Sequence, residues 1–163
     1  MITLGVDPGT AIMGYGVVRG ESDPELIDHG VIKTHSSECM PDRLLQLFDG
    51  LTEVIESRRP DVMAVEQLFF ARNVTNALAV GQARGVVLLA GAQHGIPIFE
   101  YKPSEVKLAV AGHGAAGKQQ VQSMVQMILG LGTIPSPDDA ADALAVAICH
   151  VYSSRLSRIA SRQ

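Results

Sequence analysis

The chain has 163 residues, 47% of them hydrophobic and 18% charged, with 13 basic against 17 acidic side chains for a net charge of −4. That length suits one domain with a substantial core, and the composition excludes a disordered tail or a collagen-like rod. A net negative charge argues against coating nucleic acid or membrane through bulk positive charge, though not against a local basic face. The N-terminus has no basic segment followed by a cleavage pattern, and the longest central apolar run, residues 85–92, falls far short of the ~20 residues a spanning helix needs. The expectation is a cytoplasmic protein with no membrane partner. Cys39 and Cys149 lack C-x-x-C spacing, so both read as reduced thiols.

Residues 2–6 form an apolar run ending in Asp7-Pro8-Gly9, a buried strand broken by a turn. Runs at 15–19 and 26–34, joined by short links, predict two more strands in an antiparallel meander. Leu44, Leu47, Phe48, Leu51, Val54 and Ile55 then recur at helical spacing, giving a helix over about 41–57 stopped by Pro60. Residues 62–65 are the next strand, ending at Glu66, and 67–72 a loop carrying Phe69 and Phe70. A long helix follows over 75–93, with Gly81 and Gly85 on one face, suited to packing on the sheet or to a subunit interface. Residues 96–101 predict a fifth strand, 104–111 a short helix and 112–117 a flexible break. A helix from Lys118 stops at Gly130, and a last helix runs from Asp138 to about residue 153. Alternating strands and helices from Val62 onwards predict parallel pairing by right-handed crossovers. The order βββαβαβααα describes a single mixed α/β layer structure.

An acid at the end of an apolar strand is more informative than one on a solvated surface. Asp7 and Glu66 both stand there, and if their strands are parallel neighbours, both emerge at the carboxyl edge, where open α/β sheets place ligands. The plainer reading is that each only closes a strand end. On the last helix Asp142 can share a face with Asp139 or with Asp138, one of which can serve simply as a cap. Asp142 lies a turn inside an Ala/Val/Leu-rich helix, where burying an unpartnered charge is costly. Clustered carboxylates repel unless cations lie between them. All-oxygen ligation suits Mg²⁺ or Mn²⁺, and such a pair of ions suits phosphodiester hydrolysis.

Gly5-Val6-Asp7-Pro8-Gly9, Val65-Glu66-Gln67-Leu68-Phe69, Gly81-Gln82-Ala83-Arg84-Gly85, Val106-Lys107 followed by Ala111-Gly112, and Asp139-Ala140-Ala141-Asp142-Ala143-Leu144-Ala145 stand in order along the chain. In sequence and spacing they resemble the RuvC crossover-junction endonucleases, over nearly the whole of residues 2–151. The resemblance implies a ribonuclease-H-like α/β fold: a mixed five-stranded sheet, three antiparallel strands then two parallel, flanked by helices on both faces. It implies one nuclease domain over 1–153 with a short tail over 154–163, and symmetric nicking of four-way (Holliday) DNA junctions in recombination and repair. It further implies a homodimer, two Mg²⁺ per site with Mn²⁺ able to substitute, and the branch-migration proteins RuvA and RuvB as partners. Carried over by position, the catalytic and metal-binding acids are Asp7, Glu66, Asp139 and Asp142. The extra Asp138 departs from the family pattern, and the spacing of three favours Asp139.

Splitting the charge alters the first impression. Residues 1–66 hold five basic and twelve acidic groups, a net −7, whereas 67–137 hold five basic and two acidic, a net +3. Phosphate contacts from such a basic middle position DNA without reading its sequence. The resemblance points to Lys107 and Lys118 beside the acids and to the loop with Phe69, Arg72 and Asn73; either lysine alone also reads as an ordinary solvated side chain. Phe69 is the candidate for stacking on or wedging between bases, and Phe70 the candidate core residue. Glu105 and Gly117 replace the Gln and the acid common in relatives. His113 reads as a surface-loop histidine, and His35 and His150 lack the further ligands of a metal site. Rival classes are an actin-like phosphotransferase, for which the chain is too short, a non-catalytic junction-binding protein, which the four retained acids disfavour, and another nuclease on the same fold.

Overall fold

The computed structural model describes residues 1–67 and 74–160, with the side chains of 74–76 and 156–160 left aside. Strands β1 (Ile2–Asp7), β2 (Ile12–Arg19) and β3 (Glu25–Lys33) precede α1 (Met40–Arg58), β4 (Val62–Glu66), α2 (Val74–Gln93) and β5 (Ile98–Tyr101). Three helices close the chain: α3 (Pro103–Ala111), α4 (Lys118–Ile128) and α5 (Asp138–Ala160). The order is the expected βββαβαβααα. In the sheet the strands lie β3-β2-β1-β4-β5, with β1 antiparallel to β2, β2 antiparallel to β3, and β1–β4 and β4–β5 parallel.

Successive side chains of a strand point to opposite faces, and this period of two sorts the core into two layers. Leu4 and Val6 of β1 and Met63 and Val65 of β4 join Leu47, Leu51 and Ile55 of α1 and Ala83, Val87 and Ala90 of α2. The alternate residues face α5, where Ala64 packs with Leu144, Ala145, Ile148 and residues of α3 and α4. Helices therefore cover both faces, as expected. Continuing the alternation puts Asp7 and Glu66 on the α5 face.

A lane without side chains lets α5 lie directly on that face. Gly5 pairs with Gly16, and Gly14 with Asp7 itself. A Cβ on Gly5 would come within 2.7 Å of the Ala147 nitrogen, one on Gly16 within 2.6 Å of Leu144 Cγ, and one on Gly14 would run into the Asp139 carbonyl. From Ala140 to Val151 every residue of α5 except Asp142 is buried. An Ala-rich helix enclosed on all sides is what such close approach demands.

Several boundaries differ from the sequence reading. β5 begins at Ile98 and not 96, because the Ile96 amide is spent on the Gly91 carbonyl at 2.9 Å and ties the segment to α2. β2 starts earlier, at Ile12, where pairing with Lys33 extends the hairpin. α5 continues to Ala160, beyond the end expected near 153. Gly85 does not pack on the sheet: it is exposed, with nothing within 4 Å of a Cβ placed there. Among the described residues, no helix is long and apolar enough to cross a membrane, and Cys39 and Cys149 are free.

Candidate active site

Asp7 and Glu66 are the last residues of adjacent parallel strands, and α5 delivers its N-terminus to the same edge. The four expected acids meet there. Burial and then the charges of Glu66, Asp142 and Asp139 push the Asp7 carboxyl up to about 7, with Lys118 opposing them. Glu66 is raised by burial and by Asp142, while Lys107 and Lys118 pull it down. Asp142 is raised by burial, lowered by its bond to Lys118 and raised again by Asp139 and Asp138. Asp7 thus feels all three of the others, and burial makes the shared negative charge costly.

Two cations face this cluster from outside the sheet. Lys118 Nζ lies 3.0 Å from Asp142 Oδ2 and 3.4 Å from Asp138 Oδ2. Burial works against the lysine's charge, but its contacts with Asp142 and Asp138 prevail and raise its pKa. The ammonium stands at the first residue of α4, where the helix dipole opposes a positive charge, so Asp142 and Asp138 hold it against that field. Gly117 caps this helix with no side-chain bond. Lys107, on α3, joins Lys118, Glu66 and Asp142 in lining a cavity of about 280 Å³ floored by Val106, Val121 and Ala145. Glu105 stands in the first turn of α3: its Oε2 accepts the Lys102 amide at 2.7 Å, a capping bond that a glutamine would also make.

The structure sorts the acids of α5. Asp142 is 31% exposed and acts on Asp7 and Glu66, whereas Asp138 is 67% exposed and engages Lys118 and Asp142. Asp139 acts on Asp7 and helps to raise its carboxyl. Of the remaining expected contacts, Phe69, Arg72 and Asn73, like Phe70, lie outside the described residues. Arg84, counted in the basic middle, is bonded to Glu100 of β5 and so largely neutralised. His113 is exposed and meets Gln120 at 3.2 Å, as a surface-loop histidine would. The His35 ring meets Ser37 Oγ at 2.6 Å, a partnership not anticipated, but the pair is exposed and two residues apart.

Whether this donor set fits metal ions turns on how many carboxylates each must supply. Among the described residues, no three His, Cys, Asp or Glu side chains are arranged to hold a metal ion by themselves. Mg²⁺ does not need three. It keeps several waters and takes one or two carboxylates plus substrate phosphate, and four acids provide two such pairs. The donors are all oxygen, and burial followed by the charges of Glu66, Asp142 and Asp139 raises the Asp7 carboxyl to about 7 although Lys118 opposes it. The set fits hard divalent cations.

The sheet order, the acids at its carboxyl edge and the helix that closes over them define the ribonuclease-H-like class of α/β proteins. Residues 3–150 match the family model described as crossover junction endodeoxyribonuclease RuvC, and the chain belongs to that family. It is 58% identical over 155 residues to the crossover junction endodeoxyribonuclease RuvC of Chloroflexus aggregans, covering 94% of each chain. Among solved structures it is similar to Thermus thermophilus RuvC in complex with a Holliday junction substrate, with 40% identity, 96% coverage of each chain and a TM-score of 0.91. The yeast mitochondrial Holliday junction resolvase Ydc2 shares the fold at 17% identity and a TM-score of 0.65, covering 96% of this chain and 82% of its own.

Proposed function

We propose that the protein is an endonuclease that resolves four-way DNA junctions by nicking two opposed strands, with Asp7, Glu66, Asp139 and Asp142 as its catalytic and metal-binding acids. The observation that carries this reading is the meeting of those acids at one sheet edge, where burial first and then the charges of Glu66, Asp142 and Asp139 lift Asp7 to about 7. Asp7, central to the cluster, would hold Mg²⁺ together with the neighbouring acids, two ions per site, and Mn²⁺ could substitute. Glu66 and Asp142 would complete the ligand set, and Asp139 would either ligate an ion or orient the attacking water. When bound, the ions supply Lewis acidity to that water and to the departing 3′ oxygen.

The chain's own groups do the rest. Lys107 and Lys118 border the cavity beside Glu66 and Asp142 and hold the non-bridging oxygens of the scissile phosphate. Lys118, bonded to Asp142 in the free protein, would turn to the phosphate once substrate is bound. Phe69, Arg72 and Asn73 follow the Glu66 strand and contact the DNA near the junction centre. Water adds at phosphorus, the 3′ oxygen leaves with a proton, and the nick carries a 5′ phosphate and a 3′ hydroxyl that a ligase can seal.

Paired nicks need two sites, hence a homodimer. Its support is α2, whose outer face shows Leu78 at 68% and Leu89 at 59% exposure with the open Gly85 between them. Leu78, Gln82, Gly85 and Leu89 repeat at the four-three-four spacing of a helix-pairing seam. The dimer works in the cytoplasm with the branch-migration proteins RuvA and RuvB. To test the function, a synthetic mobile four-way junction is incubated with Mg²⁺ and either the wild type or Glu66→Gln. The wild type nicks symmetrically and the variant binds without cutting; equal cutting, or none by either, defeats the proposal.

A further inference from the structure

The acid cluster makes no use of one buried polar side chain. His150 is 3% exposed and lies two turns beyond Asp142 on α5. Its Nδ1 is 2.8 Å from the Tyr101 hydroxyl. Its ring rests on Phe99 with centroids 4.7 Å apart and meets the Tyr101 ring edge-on at 5.9 Å. Phe99 and Tyr101, two residues apart on β5, share the face turned to α5, while Glu100 points the other way to Arg84 of α2. A leucine would fill this space without bringing polar atoms that need partners. What an imidazole adds is a bond with a direction.

The far end of that bond is next to Glu66. Tyr101 is the last residue of β5 and the register partner of Glu66 on β4. Its carbonyl accepts the Gln67 amide at 2.7 Å, the backbone bond that closes the ladder just after Glu66. Tyr101 is therefore bonded by its side chain to the helix that carries Asp139 and Asp142, and by its backbone to the strand end that carries Glu66. Burial holds its hydroxyl at about 12, so the group keeps its proton across neutral pH.

We propose that the Tyr101–His150 hydrogen bond is a positioning device: it ties α5 to the end of β5 and thereby sets the spacing of Glu66 against Asp139 and Asp142. This rests on the reading of those acids as catalytic. Neither residue touches the reacting atoms. Their effect runs through the placement of acids carried by separate elements, where a displacement of about 1 Å costs ~100-fold in rate.

The test compares Tyr101→Phe, His150→Leu and His150→Asn with the wild type; asparagine places an amide where Nδ1 stands. Three quantities are read: single-turnover cleavage of a four-way junction in Mg²⁺, junction affinity without cleavage, and hydrogen exchange of the Gln67 amide in metal-free protein. Tyr101→Phe and His150→Leu should slow cleavage about tenfold, leave affinity within about twofold and speed Gln67 exchange about tenfold, with His150→Asn restoring much of each. A lower melting temperature with unchanged cleavage per folded molecule and unchanged Gln67 exchange would overturn the proposal. If the wild type cuts no junction, the functional reading fails. Gln67 exchange then still decides: faster in Tyr101→Phe supports the tie, and unchanged overturns it.

Discussion

Asparagine in place of Asp7 keeps the size and hydrogen-bonding capacity of the side chain and removes its charge. In the unfolded chain this carboxyl releases its proton near 3.8, and in the folded protein near 7. Between those values the folded state holds the proton and the unfolded state does not, so stability falls as pH rises through this window and the full penalty is present above it. At about 1.4 kcal/mol per pH unit, the difference is worth about 4 kcal/mol, or about 2 if Glu66 and Asp142 share the proton load. Asp7→Asn should therefore stabilise the metal-free protein at about pH 8 by ~2–4 kcal/mol, raising Tm by about 5–15 °C for a chain of this size. The gain should shrink as pH falls and vanish below about pH 4, where the wild-type carboxyl is neutral in both states. Saturating Mg²⁺ should also erase it, by stabilising the wild type alone. Melting curves with and without EDTA across this range make the measurement. An Asp7→Asn protein no more stable than wild type at about pH 8 in EDTA would refute the reasoning that the cluster is electrostatically frustrated without cations.

The neighbouring side chains give further tests. Lys118→Met removes the cation that lowers Asp142 and, with Lys107, Glu66, so their pKa values rise and the acidic limb of the pH–rate profile should move up by about half to one pH unit. The rate at neutral pH should fall at least ~10-fold, and a profile that merely scales down without moving would count against this coupling. Asp139→Asn should cost ~100-fold or more in cleavage and Asp138→Asn less than about threefold; the reverse order in a single-turnover assay would make Asp138 the third acid. Gly85→Glu should leave the melting temperature within a few degrees, because the position opens to solvent, but yield monomers in sedimentation; a dimer that persists would move the interface off α2.

Much of the site was legible in the sequence because its acids break strong patterns. Asp7 and Glu66 each end a run of mostly buried residues, and Asp142 interrupts a stretch of helix, residues 140–151, that is otherwise buried throughout. The strand directions followed from link lengths and from the change of period at α1. What stayed hidden depends on contacts between residues distant in the chain. Nothing local to Lys118 shows that it bonds Asp142, 24 positions on, or that Asp138 pairs with the same lysine. Tyr101 and His150 are 49 residues apart, and their bond exists only because α5 crosses the end of β5. Gly5, Gly14 and Gly16 were visible as glycines, but that they form one lane follows from strand register, which puts Gly14 beside Asp7 and beneath Asp139. Bulk charge misled in the same way: the −4 total averages an acidic first part with a basic middle, and several of its acids face one another and two lysines at one edge.

The central claim is that this acid cluster, present twice in a dimer, cuts two opposed strands of one junction. A supercoiled plasmid extruding a cruciform tests it most directly, because the topology records how many cuts occur before supercoiling is lost. With Mg²⁺ the protein should convert the plasmid to linear molecules, since both cuts fall within one complex, and Glu66→Gln should leave it supercoiled. Accumulation of nicked circles as the end product, or linear product from Glu66→Gln, would contradict the account.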